Sequence, residues 1–134
     1  MSIYLDNAAT TAQKPAVVAE AMAEILKGEY GNPSRGAHGY SLAGYRVAES
    51  ARNAVKALFK ADRRYEVAFT NNATVALNEV LKGLVQSGDH VITTAWEHNS
   101  VLRPLYQLEA QGASLDVVSA EPVTGRLNYG EFAK

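Results

Sequence analysis

The chain has 134 residues, of which 47% are hydrophobic, and its formal net charge is −1 at pH 7. This size and composition are typical of a folded domain with a core and exclude a disordered chain. The balanced charge argues against a nucleic-acid partner, the absence of cysteine excludes disulfides and thiolate metal sites, and no apolar run is long enough to span a membrane.

The first half of the chain predicts an extended amino terminus followed by two helices. Residues 1–14 contain a short extended piece, "IYL", and a turn, "DNAATT". Pro15 suits the first turn of a helix that continues through "AVVAEAMAEILK" and ends at Gly28. The loop "EYGNPSRGAHGYS" follows, and a longer helix is expected at about residues 42–60. We therefore expect an extended segment over residues 1–14 and a helical arm with its loop over residues 15–64.

From residue 65 onward the pattern changes to alternating strands and helices. Three short apolar runs, "EVAFT", "DHVITT" and "SLDVVSA", have the length of buried strands. Two helical stretches separate them, "ATVALNEVLKGLVQSG" and "VLRPLYQLEAQG", the second with Pro104 in its first turn. This order predicts the α/β class with a parallel sheet and right-handed crossovers. Because the chain stops at Lys134 just as a new element begins, we expect a fragment of a larger protein.

Polar residues follow two of the predicted strands, at the sheet edge where α/β proteins bind ligands. Asn71, Asn72, Ala73 and Thr74 lie between "EVAFT" and the next helix. Their backbone N–H groups and the helix dipole would form a site for an anion, especially phosphate. The competing interpretation is ordinary capping of the helix by Asn or Thr.

The second polar strand end, "TTAWEHNSVLRP", contains His98. An imidazole at a strand end can act as a general base, bind a ligand or pack flat on a planar cofactor. The competing interpretation is a surface histidine with satisfied nitrogens, and a second polar strand end nearby argues against it. The lysines, among them Lys82, are on or beside predicted helices and are expected to be solvated. The stretch "RGAH" at residues 35–38 is interpreted first as a solvated loop.

Four stretches, taken in order, resemble the class V pyridoxal-phosphate enzymes and, within them, the cysteine desulfurases. They are "YLDNAATT" followed by "KP", "YGNPSRGAH", "FTNNATVALN" and "EHNSVLRPL", and they cover nearly the whole chain. The resemblance implies amino-terminal helices with a dimer-interface loop, followed by the first βαβαβ part of a fold-type I large domain, truncated, over residues 65–134. In such a sheet "EVAFT" lies far from the other two strands. We therefore expect "HVITT" and "LDVVS" to pair, and "EVAFT" to repack against "HVITT" or pair with another chain.

The resemblance also implies roles for residues at the two polar strand ends. His98 is expected to stack on the cofactor ring and to help move protons during catalysis. The cofactor phosphate is expected to be held by Asn72, Ala73 and Thr74, with Ala73 contributing only its backbone N–H.

The amino-terminal half is implied to supply the substrate side of the site. Asn7, Ala8 and Ala9 resemble residues that line the substrate pocket. Arg35 resembles a loop residue that reaches across a dimer interface into the partner's site.

The implied function is that of a pyridoxal 5'-phosphate enzyme that converts L-cysteine to L-alanine and an enzyme-bound persulfide. It would be a soluble, cytoplasmic homodimer with a shared active site, a sulfur-acceptor protein and no resident metal. The family's Schiff-base lysine segment, its pyridinium-pairing aspartate and its sulfur-accepting cysteine are absent, so the chain alone is expected to be inactive. Selenocysteine lyase or another class V enzyme is an alternative. A short non-enzymatic protein that binds a phosphate ligand or a partner chain is an alternative of a different class.

Overall fold

The computed structural model describes residues 3–133, which divide into two compact units between Val67 and Ala68. In the first unit, α1 (Ala16–Lys27) begins directly after Pro15, as predicted, and α2 (Gly39–Leu58) follows a loop. None of the helices in residues 3–133 combines the length and apolar character needed to cross a bilayer.

Helix α2 begins three residues earlier than predicted because His38 caps it. The His38 Nδ1 atom accepts a hydrogen bond from the backbone N–H of Ser41 at 3.4 Å. The Ser41 hydroxyl donates to the carbonyl of Asn32 at 2.6 Å, and the Gly31 N–H donates to the carbonyl of Tyr40 at 2.8 Å. Ser41 is 1% exposed, so the loop before α2 is fixed to the helix by buried polar contacts.

Gly44 of α2 is the place where this loop comes closest to the helix. A Cβ atom built on Gly44 would collide with the carbonyl oxygen of Gly31. The residue is in the interior of a helix, where glycine is unfavourable by about 1 kcal/mol relative to alanine. Lack of space, and not a special backbone angle, is therefore what requires glycine here.

The second unit contains α3 (Ala73–Leu84), β1 (His90–Thr94), α4 (Asn99–Ala110), β2 (Ser114–Val118) and a short 3₁₀ helix (Tyr129–Ala133). The two strands are parallel and in register from His90 opposite Ser114 to Thr94 opposite Val118. Helix α4 connects them and packs on β2. The predicted α/β class, and the predicted pairing of "HVITT" with "LDVVS", are confirmed.

Two predicted helix boundaries are wrong in informative ways. The helix expected to continue to Gly88 ends at Leu84, because Val85 is already extended and Gly88 has a φ of 92°. Helix α4 begins at Asn99 and not at the predicted residue 101, which places Pro104 in the helix interior and not in its first turn.

The segment "EVAFT" (residues 66–70) is not a strand, which corrects the prediction from its composition. In residues 3–133 the sheet consists of β1 and β2 alone, so the expected repacking of "EVAFT" against "HVITT" is also wrong. A strand is stabilised by hydrogen bonds to a neighbour, and β-propensity cannot replace them. Pairing with another chain stays a prediction.

We expect the chain to associate through "EVAFT", because an apolar segment outside a sheet exposes side chains that a second chain can cover. Phe69, in this segment, is 55% exposed. Phe69→Lys should lower the average mass measured by sedimentation velocity. Leu84→Lys, at a 72% exposed position at the end of α3, is the control for general loss of apolar surface. A parent chain that sediments as a monomer would contradict the prediction.

Candidate functional site

The predicted cofactor residues lie where α3 and α4 begin, and two of them cap those helices. Asn72 Oδ1 accepts the backbone N–H of Val75 at 2.9 Å. His98 Nδ1 accepts the backbone N–H of Ser100 at 3.1 Å and lies 2.9 Å from the Ser100 hydroxyl. Each side chain satisfies a donor that a helix start would otherwise leave without a partner.

The cap fixes the tautomer of His98. Because Nδ1 accepts a backbone N–H, the neutral ring carries its proton on Nε2. The His98 side chain is exposed, so the Nε2–H group can donate to a ligand without disturbing the cap. In this state the ring is a donor at Nε2 and has no proton-accepting site there.

The loop that carries His98 is anchored to its surroundings on both sides. The Ala95 N–H donates to the carbonyl of Val118 at 2.9 Å, which extends the strand pairing by one bond. The Thr94 hydroxyl donates to Glu97 Oε1 at 3.1 Å, and the indole N–H of Trp96 donates to the carbonyl of Gly125 at 2.9 Å. Trp96 therefore ties the loop to a later turn, and the imidazole is presented from a fixed backbone.

Thr74 and His98 line one open cleft of about 290 Å³ between α3 and α4. The helices contribute side chains four residues apart, which lie on one helical face. These are Thr74, Asn78 and Lys82 on α3, and Asn99, Arg103 and Gln107 on α4. The structure thus brings together residues from the two polar stretches that the sequence singled out, although "EVAFT", before the first stretch, is not a strand.

The electrostatics of the cleft favour an anion. Its lining includes Lys82 and Arg103 and contains no aspartate or glutamate. In the described part of the chain neither cation takes part in a salt bridge. The amino termini of two helices add positive potential at the same end of the cleft, where the Thr74 side chain is exposed. A phosphate group fits this set of donors.

The other two predicted phosphate ligands, Asn72 and Ala73, lie just before and at the start of α3. The side-chain oxygen Oδ1 of Asn72 caps α3, and Ala73 is the first residue of that helix. The described lining of the cleft includes neither residue. Their predicted contacts with the phosphate stay predictions.

The predicted substrate residues belong to the first unit. Asn7, Ala8 and Ala9 form an exposed turn in which the Ala9 N–H donates to the carbonyl of Asp6 at 3.2 Å. The Arg35 side chain is exposed, and its backbone N–H donates to the carbonyl of Asn32 at 3.4 Å. The roles implied for these four residues stay predictions.

Two residues of the cleft, Asn78 and Arg103, were not predicted from the sequence, and Lys82 was predicted to be a solvated helix residue. Lys82 is exposed, but it also lines the cleft. The signal was available for α3, because Asn78 and Lys82 follow Thr74 at intervals of four residues. For Arg103 no such signal exists, since the facing of α3 and α4 is a tertiary property.

The comparisons with known proteins agree with one another. A family model described as aminotransferase class-V matches residues 3–133. Cysteine desulfurase IscS of Acinetobacter baumannii (strain AYE) is 43% identical over 129 residues, which are 92% of this chain and 31% of that protein. The structure is similar to the apo structure of a cysteine desulfurase from Thermococcus onnurineus NA1, with a TM-score of 0.81 and 32% identity over 96% of this chain and 32% of that one.

A second solved structure, the cysteine desulfurase CsdA (S-sulfonic acid) from Escherichia coli, matches with a TM-score of 0.66 and 27% identity. It covers 89% of this chain, which corresponds to 31% of that chain. The chain thus spans about a third of the length of the relatives it matches.

We expect inorganic phosphate to bind this chain at the cleft. In a titration followed by amide chemical shifts, the shifts that move should belong to the first turn of α3 and to Lys82 and Arg103. Thr74→Ala should weaken binding by about 1 kcal/mol, the scale of a hydrogen bond to a charged group. Thr11→Ala, in the first unit, is the matched control. An unchanged phosphate affinity in Thr74→Ala would show that "NNAT" only begins and caps α3.

Proposed function

The chain belongs to the class V aminotransferase family, and from this premise we propose that it is the amino-terminal portion of a pyridoxal-phosphate-dependent cysteine desulfurase. Such an enzyme converts L-cysteine to L-alanine and an enzyme-bound persulfide. The observation that carries the proposal is the cleft in which Thr74, His98 and two cations without salt bridges meet. A relative that aligns with 92% of this chain at 43% identity is named a cysteine desulfurase.

The residues of the cleft divide the binding of the cofactor between them. The Thr74 hydroxyl and the first N–H groups of α3 hold the phosphate, and the charges of Lys82 and Arg103 favour its two negative charges. The His98 ring packs on the pyridine plane and keeps it oriented, with Nε2–H available as a donor. When bound, pyridoxal phosphate supplies the electron sink for the reaction. A ring held in one plane by His98 would keep a bound substrate in one orientation relative to the cofactor.

The remaining parts of the proposed site come from elsewhere. Asn7, Ala8 and Ala9 line the substrate pocket, and Arg35 reaches into the partner's site across a homodimer interface. The chain contains no cysteine, so the thiol that takes up sulfur belongs to another part of the enzyme. We place the enzyme in the cytoplasm, where it would pass its sulfur to an acceptor protein.

The 134-residue chain alone should be inactive, because no lysine in it lies in the family's Schiff-base segment. Sulfide release from L-cysteine should not exceed that of free pyridoxal phosphate. The absorbance spectrum should show no band of a lysine-bound cofactor beyond that of a lysine-matched, unrelated protein. Sulfide release clearly above the free-cofactor rate would show that the proposed division between this portion and the rest of the enzyme is wrong.

His98 should be needed for turnover in a complete enzyme that carries this sequence. His98→Ala should leave the fold intact, lower kcat strongly and change the cofactor spectrum, because it removes both the ring and its Nε2–H donor. His98→Phe should retain part of the stacking and lose the donor. Its cofactor spectrum should therefore stay close to that of the parent, whereas its kcat should be low. His90→Phe, on β1, is the matched control. A kcat equal to that of the parent in both His98 variants would show that His98 only caps α4.

A further inference from the structure

Helix α4 has a defect in its backbone hydrogen bonding that its own sequence creates. Pro104 lies inside the helix and has no N–H, so it cannot donate to the carbonyl of the residue four positions earlier. That residue is Ser100, whose N–H is the one that His98 accepts. Ser100 is 8% exposed, so its carbonyl has little access to water as a substitute donor. A buried carbonyl without a partner is costly, and a donor from outside the helix is needed.

Asn78 of α3 provides that donor. Its Nδ2 atom lies 3.4 Å from the carbonyl oxygen of Ser100 and 3.0 Å from the carbonyl oxygen of Thr74. A primary amide nitrogen carries two hydrogens, so it can donate to both carbonyls at once. The first bond crosses from α3 to α4, and the second stays within α3. One half-buried side chain thus connects the turn that carries Thr74 with the turn that carries His98.

We propose that Asn78 is a positioning residue, which holds the first turn of α4 against the first turn of α3 by replacing the donor that Pro104 lacks. Asn78 does not touch the reacting atoms. It sets the separation and orientation of the Thr74 hydroxyl and the His98 ring across the cleft. The importance of this for cofactor binding rests on the proposed function, whereas the hydrogen bond itself does not.

The dependence on Pro104 gives a sharp test, because Pro104→Ala restores the missing N–H. In the parent background, Asn78→Leu removes both donor hydrogens and keeps the branching of the side chain at Cγ. It should accelerate hydrogen exchange of the amides in the first two turns of α4 about tenfold, the scale of one lost hydrogen bond. In the Pro104→Ala background the same change should accelerate exchange by less than about twofold.

Controls separate positioning from general stability. Asn53→Leu, at an exposed position of α2, should change exchange in α4 by less than about twofold. If Asn78→Leu does not fold, Asn78→Ala is the second variant. It removes both hydrogen-bond donors without adding a charge, and Pro104→Ala should relieve most of its effect. Acceleration that is equal in both proline backgrounds, or that is uniform along the chain, would overturn the proposal.

Binding of pyridoxine 5'-phosphate is measured on the same variants. This probe has no aldehyde, so it cannot form imines with exposed lysines. If it binds, Asn78→Leu should raise its Kd about tenfold in the parent and less than about twofold with Pro104→Ala. Unchanged affinity in the parent background would make Asn78 merely structural and overturn the proposal. A parent chain that does not bind the probe, with the exchange cycle as expected, would reject the proposed function and still support the assignment of Asn78.

Discussion

The packing of α4 on β2 is the constraint on which the candidate site depends. The buried apolar side chains of the described residues are Leu105 and Leu108 of α4 and Val118 at the end of β2. Because α4 connects two parallel strands, burying its apolar face beside β2 places its amino terminus beyond the carboxyl end of β1. The polar loop between β1 and α4, which carries His98, therefore lies at the carboxyl end of β1. Helix α3 packs on α4 in turn, and its own polar start reaches the same cleft.

Local patterns in the sequence were sufficient for those features that depend on neighbours along the chain. The order from α3 through β1 and α4 to β2, the pairing of "HVITT" with "LDVVS" and the two polar helix starts were all predictable, since period, turn residues and capping chemistry are short-range signals. The segment "EVAFT" has the composition of a strand, but among the described residues no neighbouring strand pairs with it. Such a neighbour is a long-range property, and composition says nothing about it.

The cleft illustrates the same limit at the level of single residues. Thr74 and His98 could be identified because each follows an apolar run and a polar turn. The contact of Asn78 with α4 could not be predicted, because it arises from Pro104, and the need of Ser100 for a donor appears only once α4 is known to begin at Asn99. A difference of two residues in the predicted helix start moved Pro104 from a harmless first-turn position to an interior one. The sequence does not distinguish a residue that caps a helix and also belongs to a site, as proposed for His98, from a residue that only caps its helix.

The contact between Gly44 and Gly31 has a consequence for protein engineering. Replacing an interior helical glycine by alanine is a standard way to raise the stability of a helix, and Gly44 would be an obvious target on helix propensity alone. In this chain the added methyl group would push against the Gly31 carbonyl and displace the loop that presents Arg35. Helix propensity and the measured thermal stability would therefore rank the same substitution in opposite directions. Gly44 marks a point where backbone contact, not chain flexibility, limits which sequences this fold accepts.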